Sequence, residues 1–318
     1  ARGHEGARAT VQRQREQLAR DVAGVLIDVL RTRRLVELAK TSTTRAQAQL
    51  DHATSRVKAG NALRNVELQA RLDFKRAEQQ TVVAARDANF AETAFMRVVG
   101  RAAPPKLELP QEPVLPTKEE AIDLAKRRAD VAALQLRLQE AQKLETAAGD
   151  RRWFPRADVE ATVQYFAPRI IATRNIEWNV LARITIPLLE PGQHTAFSFA
   201  SSETRIASLQ FQQQLKVVVE EVELAAFQLA SAIEAARLSN EQVEAARELY
   251  KLVDRQFRLG AITFLEVANA QAVLVEAENA FEITRMDRVL AIYDYLFVIG
   301  ALEVSSGAPV VGKTTAAP

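Results

Sequence analysis

Apolar residues recur at helical spacing along most of the chain. Ala270, Leu274, Ala277 and Phe281 follow one another at intervals of 4, 3 and 4, the heptad pattern of a helix–helix seam. Gln193 to Leu259 runs without a helix breaker, which at 1.5 Å per residue makes about 100 Å of helix. Ile262 to Ile299 makes a return helix of about 57 Å on the same arithmetic. The pattern changes between Pro155 and Pro187. Val159, Ala161, Val163 and Tyr165 alternate with Glu160, Thr162 and Gln164. Beyond a polar loop, Trp178, Val180, Ala182, Ile184 and Ile186 alternate with Asn179, Arg183 and Thr185. The alternation predicts two strands of about nine to ten residues with one apolar face each, a length that suits a transmembrane β-strand and also an ordinary soluble hairpin. The longest apolar run, Val289 to Val304, is interrupted by Asp294 and falls short of the ~20 residues a membrane helix needs.

The chain also repeats itself. Gly60–Gly100 superposes without gaps on Gly260–Gly300, with identities at Gly60/Gly260, Ala70/Ala270, Ala77/Ala277, Glu78/Glu278, Asp87/Asp287, Ala91/Ala291, Val98/Val298 and Gly100/Gly300. Each copy runs through a long helix into the first glycine and then through a second helix to the next one. Gly60 and Gly260 predict left-handed C-cap residues that turn the chain. Each copy is therefore expected to be a helical hairpin with a tight tip.

Five prolines between Arg101 and Thr117 mark an extended connector, and Thr117 with Glu120 predicts a capping box opening the next helix. The expected organisation is a first helical-hairpin repeat over 1–100 and a connector over 101–117. A helix over 118–150 opens the second repeat, the β-hairpin occupies 151–190 and the second helical hairpin 191–303. A disordered tail over 304–318 closes the chain. The fold class is mostly α with a single β-hairpin, built of antiparallel coiled-coil hairpins in tandem duplication.

Composition narrows the function. Lys+Arg 42 against Asp+Glu 40 leaves a net charge of +2, so nothing marks a nucleic-acid binder. The absence of cysteine excludes thiol chemistry and disulfides, and His4, His52 and His194 are too dispersed for a local metal motif. With no phosphate-binding loop and no Ser/His/Asp arrangement, the pattern counts against an enzyme, and no cofactor is expected. Ala1–Glu5 has no apolar signal region.

Several tracts together resemble TolC-type outer-membrane efflux proteins. Trp178–Gly192 is similar to that family's strand-to-helix crossing, and Gln256–Gln271 to its helix tip. Glu119–Val131 resembles the mid-chain helix opening, with Ala129 where proline is usual, and Pro155–Val159 the start of its strand. The resemblance implies a homotrimer forming one passive conduit, with a β-barrel in outer-membrane lipid continuous with an α-helical tunnel in the periplasm. The periplasmic barrel of helices would dock on an adaptor protein and an inner-membrane transporter. Members of the family carry two β-hairpins per chain, twelve strands per trimer. This chain shows one, so a signal peptide, a first helix and a first hairpin are expected ahead of it in the parent protein. A soluble coiled-coil scaffold and a periplasmic adaptor are the alternatives.

The resemblance also assigns positions. Glu266, with Asn269 where a second acidic residue is common, would line the periplasmic constriction; the plain alternative is a solvated helix-surface carboxylate. Ala59, Gly60 and Asn61, with Leu259, Gly260 and Ala261, form the tips that would meet the adaptor, or are simple turns. Tyr165 and Trp178 read either as membrane-interface aromatics or as packing at the barrel–helix junction. Glu160, Gln164, Asn179 and Arg183 are the polar alternates expected in the barrel lumen.

Overall fold

The computed structural model describes residues 2–107, 113–151, 155–165, 176–186, 191–302, 304–305 and 308–309. In chain order these form α1 (Arg2–Lys58), α2 (Arg64–Val99), α3 (Lys118–Lys126), α4 (Ala129–Arg151), β1 (Arg156–Tyr165), β2 (Ile176–Thr185), α5 (Pro191–Arg258), α6 (Phe264–Val298) and two-residue strands β3 (Val304–Ser305) and β4 (Ala308–Pro309). The chain divides into two compact units. One comprises Ala1–Thr10 and Asp130–Lys216, the other Val11–Ala129 and Val217–Pro318.

In the first unit β1 and β2 pair antiparallel from Arg156↔Thr185 to Tyr165↔Ile176. The register brings like beside like. Val159 lies opposite Ala182, Ala161 opposite Val180 and Val163 opposite Trp178, while Asp158 faces Arg183 and Thr162 faces Asn179. Since side chains alternate with period two, the hairpin has one continuous apolar face and one polar face, interrupted only by Leu181 opposite Glu160. Among the described residues neither strand has a second neighbour, so both outer edges carry unpaired backbone groups.

The second unit packs the two helical hairpins together. α1 runs antiparallel along α6. Arg13 donates to the Phe297 carbonyl at 3.0 Å, Arg20 to Asp294 at 2.6 Å and Arg31 to Asp287 at 3.2 Å. The hydrogen bond and charge of Asp294 raise the Arg20 pKa above its ordinary value. Val29, Val218, Val222 and Val267 are fully buried, as are Ala121 and Ala125 of α3. Small Ala and Val side chains at these seams let helices approach closely, which is how thin helices bury a core without many aromatics.

Among the described residues four glycines carry positive φ: Gly60 (75°), Gly100 (77°), Gly260 (78°) and Gly300 (71°). These are the two glycine pairs that bound the duplicated windows. At three of them the last turn closes in a Schellman motif. Asn61 N–H donates to the Arg56 carbonyl and Gly60 N–H to Val57, Ala261 to Gln256 and Gly260 to Phe257, Ala301 to Leu296 and Gly300 to Phe297. Gly100 uses the simpler single bond, from its N–H to the Met96 carbonyl.

Three details depart from the sequence reading. The helix expected unbroken over 118–150 is two helices, with α3 ending in a tightened turn where Arg127 and Arg128 donate back three residues, to Leu124 and Ala125. The break turns Arg128 inward, where its guanidinium donates to Glu221 at 2.6 Å and to the Val298 carbonyl at 3.0 Å. The tail, expected without structure from 304, pairs Val304 with Pro309 and Ser305 with Ala308; residues 310–318 lie outside the described residues. In α6 the heptad positions Ala277 and Phe281 are only half-buried, and Gln271 and Glu278 are buried beside Ala270 and Leu274. The seam thus accepts polar groups that an apolar count passes over.

Candidate functional site: the tips and the β-hairpin

The tips of the two helical hairpins lie at one end of the second unit, joined by a cluster of Ala53 and Ala70 from the first copy with Phe257, Phe264 and Val267 from the second. Phe257 and Phe264 meet edge-to-face with centroids 6.0 Å apart, and the Arg56 guanidinium sits 5.2 Å over the Phe257 ring. Packing here rests on aromatics that the first copy lacks, since Val57 and Arg64 stand at the corresponding positions. A notch of about 470 Å³ opens beside the cluster, lined by His52, Arg56, Asn61, Asp254, Phe257 and Leu259 among others.

Beyond this cluster the turns are open to solvent. Ala59, Gly60 and Asn61 are exposed, as are Leu259, Gly260 and Ala261. Leu63 and Leu259 are the most exposed apolar side chains there, at 74% and 79%. Two isolated leucines would be unremarkable on a surface, but here they crown adjacent tips whose glycine backbone leaves room for a neighbour. The sequence reading missed Leu63, which follows the first turn as an ordinary apolar residue.

Glu266 and Asn269 are both exposed on the first turns of α6, one helical spacing apart. Glu266 also has a local role: its carboxylate accepts the Thr263 backbone N–H at 3.2 Å, as the N3 residue of a capping box does. The first copy has Leu63 and Val66 at these positions and no side-chain cap. Thr117 and Glu120 form the same box reciprocally at α3, with distances of 2.9 and 3.4 Å. Hydrogen bonds from the Thr117 backbone and side chain hold the Glu120 carboxyl below its ordinary pKa.

On the β-hairpin, Glu160, Gln164, Asn179 and Arg183 fall on the polar face, and Tyr165 and Trp178 on the apolar face. Trp178 is 73% exposed and Tyr165 nearly as much, and both sit near the turn end of the ladder. Val159, Val163, Val180 and Ile184 are likewise exposed on the same face. An apolar face of two five-residue rows left in water would cost several kcal/mol, at roughly 25 cal/mol per Å², relative to one that is covered. Asp87 and Asp287, the repeated aspartates, do different things: Asp87 pairs with its neighbour Arg86 and Asp287 with Arg31 of α1.

Among the described residues no helix is long and apolar enough to cross a membrane, and no group of side chains is arranged to hold a metal ion. The chemistry on offer is that of surfaces: a two-faced hairpin with open edges and a pair of apolar-crowned tips.

Comparison with known proteins bears on what those surfaces belong to. No curated protein sequence matches the chain. Solved structures do. A membrane protein from Pseudomonas aeruginosa aligns at a TM-score of 0.80 and 18% identity over 94% of this chain and 72% of its own. The outer membrane protein VceC of Vibrio cholerae aligns at 0.78 and 16%, over 93% and 72% of the two chains. The open-state outer membrane channel MtrE of Neisseria gonorrhoeae gives 0.74 and 19%, over 94% and 70%. At such identities the likeness is one of fold. In sequence, residues 122–291, more than half of the 318, match the outer membrane efflux protein family. The duplicated helical hairpins, the single two-faced β-hairpin and this match agree: the chain belongs to the outer membrane efflux protein family.

Proposed function

We propose that this chain forms part of a passive exit duct through the outer membrane, working as a homotrimer with an adaptor and an inner-membrane transporter. The observation that carries the proposal is the β-hairpin. Its apolar face is uncovered, its opposite face is polar but for Leu181, and among the described residues both its edges are open. Backbone groups in lipid must all be satisfied, which only a closed barrel achieves for strands, so a hairpin of this kind functions by pairing with strands beyond it. In such a barrel the apolar face meets lipid, Tyr165 and Trp178 lie at an interface, and Glu160, Gln164, Asn179 and Arg183 line a water-filled path.

The tips supply the second half of the reading. Glu266, repeated in each copy of the assembly, forms a ring of carboxylates at the narrow periplasmic end, and such a ring favours cations and resists close approach of its own members. The exposed Leu63 and Leu259 beside the glycine turns form the contact with the adaptor, and energy for transport comes from the inner-membrane partner.

The test exploits the lack of cysteine in this chain. Glu266→Cys is made in the full-length parent protein, which is inserted in a planar bilayer and its current recorded before and after a bulky maleimide. The expected result is a steady conductance cut sharply by the reagent. Conductance indifferent to the reagent removes Glu266 from the constriction and leaves the duct. Protein that remains outside membranes and never conducts overturns the duct itself, in favour of a soluble scaffold.

A further inference from the structure

Glu278 is the most deeply buried carboxylate of α6, its side chain 6% exposed. Arg45 of α1 holds it with both guanidinium nitrogens, at 2.9 and 3.2 Å, and Arg247 of α5 approaches to 3.6 Å. One carboxylate thus ties the first helical hairpin to both helices of the second. The other ion pairs between α1 and α6, Arg20–Asp294 and Arg31–Asp287, have side chains 30–49% exposed and are therefore weakly binding.

A buried ion pair is poor evidence of stability, because desolvating two charges costs about as much as their attraction returns. Its best-attested use is to specify register in a seam that is otherwise degenerate. The seam here is of that kind. Within each helical hairpin a tight glycine turn sets the register, but the two hairpins are joined through a long connector and further elements. Around Arg45 and Glu278 the buried residues are small, polar or singly apolar: Ser42, Ala46 and Gln49 on α1, Gln271 and Leu274 on α6. A half-open groove of about 390 Å³, lined by Leu35, Leu38, Gln80, Val83, Asn279 and Glu278 itself, lies beside the carboxylate. A second, of about 560 Å³, continues along α6 past Gln271 and Val275. Packing of this kind resists a one-turn slip of one hairpin along the other less than a continuous apolar seam would. Duplication compounds the ambiguity, since similar helices offer similar faces. The two copies differ at this point: Glu78, the counterpart of Glu278, is a surface residue paired with Lys75.

We propose that Glu278, held by Arg45, is the register-setting residue between the two helical hairpins, a positioning residue kept for specificity rather than stability. It decides how far α6, and with it Glu266, extends past α1. The inference stands on the packing of the second unit and holds whether or not the chain conducts.

The test places nitroxide labels at Lys40→Cys on α1 and Val273→Cys on α6, both exposed sites. Distances are measured by pulsed electron resonance in purified protein diluted with unlabelled copies. The parent should show a single distance. R45M/E278L, which removes both charges, should keep its helicity and melting temperature yet acquire a second population displaced by about 5 Å, one helical turn. E278Q should show the same second population, and R45E/E278R, which restores a pair, should return to one. A single unshifted distance in R45M/E278L and E278Q overturns the proposal, because packing alone then sets the register. So does failure of both to fold, because the pair is then a stability element.

Discussion

Single residues in this protein matter most where the chain must turn or where charge is taken out of water. Gly60 and Gly300 share a left-handed backbone but not their surroundings. An added Cβ at Gly60 would meet nothing within 4 Å, whereas at Gly300 it would lie 2.9 Å from Cγ of Arg128. G60A should therefore cost only the backbone term, about 1–2 kcal/mol. G300A should cost clearly more, because Arg128 must leave Glu221 and the Val298 carbonyl to make room. Thermal unfolding of the two variants measures the difference, and equal losses would show that Arg128 yields freely. Glycine at 60 and 300 was legible from the repeat. The burial of Arg128 was not, since an arginine between Arg127 and Ala129 looks like any solvated basic residue and its partners are 93 and 170 residues away.

Among the elements, the β-hairpin makes the sharpest demand. Ala161 and Thr162 are neighbours near the middle of β1, but the ladder sets Ala161 against Val180 on the apolar face and Thr162 against Asn179 on the polar face. A charge on a lipid-facing position near the bilayer midplane costs about 2–4 kcal/mol, while a lumen position tolerates it. A161R should sharply reduce the folded protein recovered from outer membranes, and T162R should leave it near the parent level. A soluble hairpin would show no such contrast. The hairpin was legible because period-two alternation is a strong signal. The Lys118–Gly149 segment was misread as one helix, because Arg127 and Arg128 have fair helix propensity. At the break Arg128 reaches Glu221 and Val298, distant partners that helix propensity does not register.

Across the whole molecule, burial changes how the protein responds to pH. Tyr250, Tyr293 and Tyr295 all have pKa values raised above 10, chiefly because burial disfavours the phenolate, with Asp254 adding to the effect at Tyr250. A raised folded-state value means that the unfolded chain loses these protons first. Stability is therefore fully present below about pH 10 and falls as the pH rises through the folded values. Unfolding temperature followed from pH 8 to 12 should drop beyond pH 10, with phenolate absorbance rising together with loss of helix. In a Y165F background, which removes the exposed tyrosine, phenolate absorbance that rises well before helix is lost would show these three to be accessible in the folded state.

The sequence by itself determined the elements and their duplication. Heptad spacing, glycine pairs 40 residues apart and strict alternation are local patterns, and local sterics and side-chain periodicity translate them directly into helices, turns and a two-faced hairpin. It also carried the family, through the order of its motifs. What only the tertiary structure decided is which polar groups go inside. Glu278 and Glu78 occupy the same place in their repeats, yet one is buried between two arginines and the other is half-exposed and pairs with Lys75. The outcome depends on Arg45 and Arg247 arriving from distant helices, because a carboxylate can leave water only where fixed cations meet it.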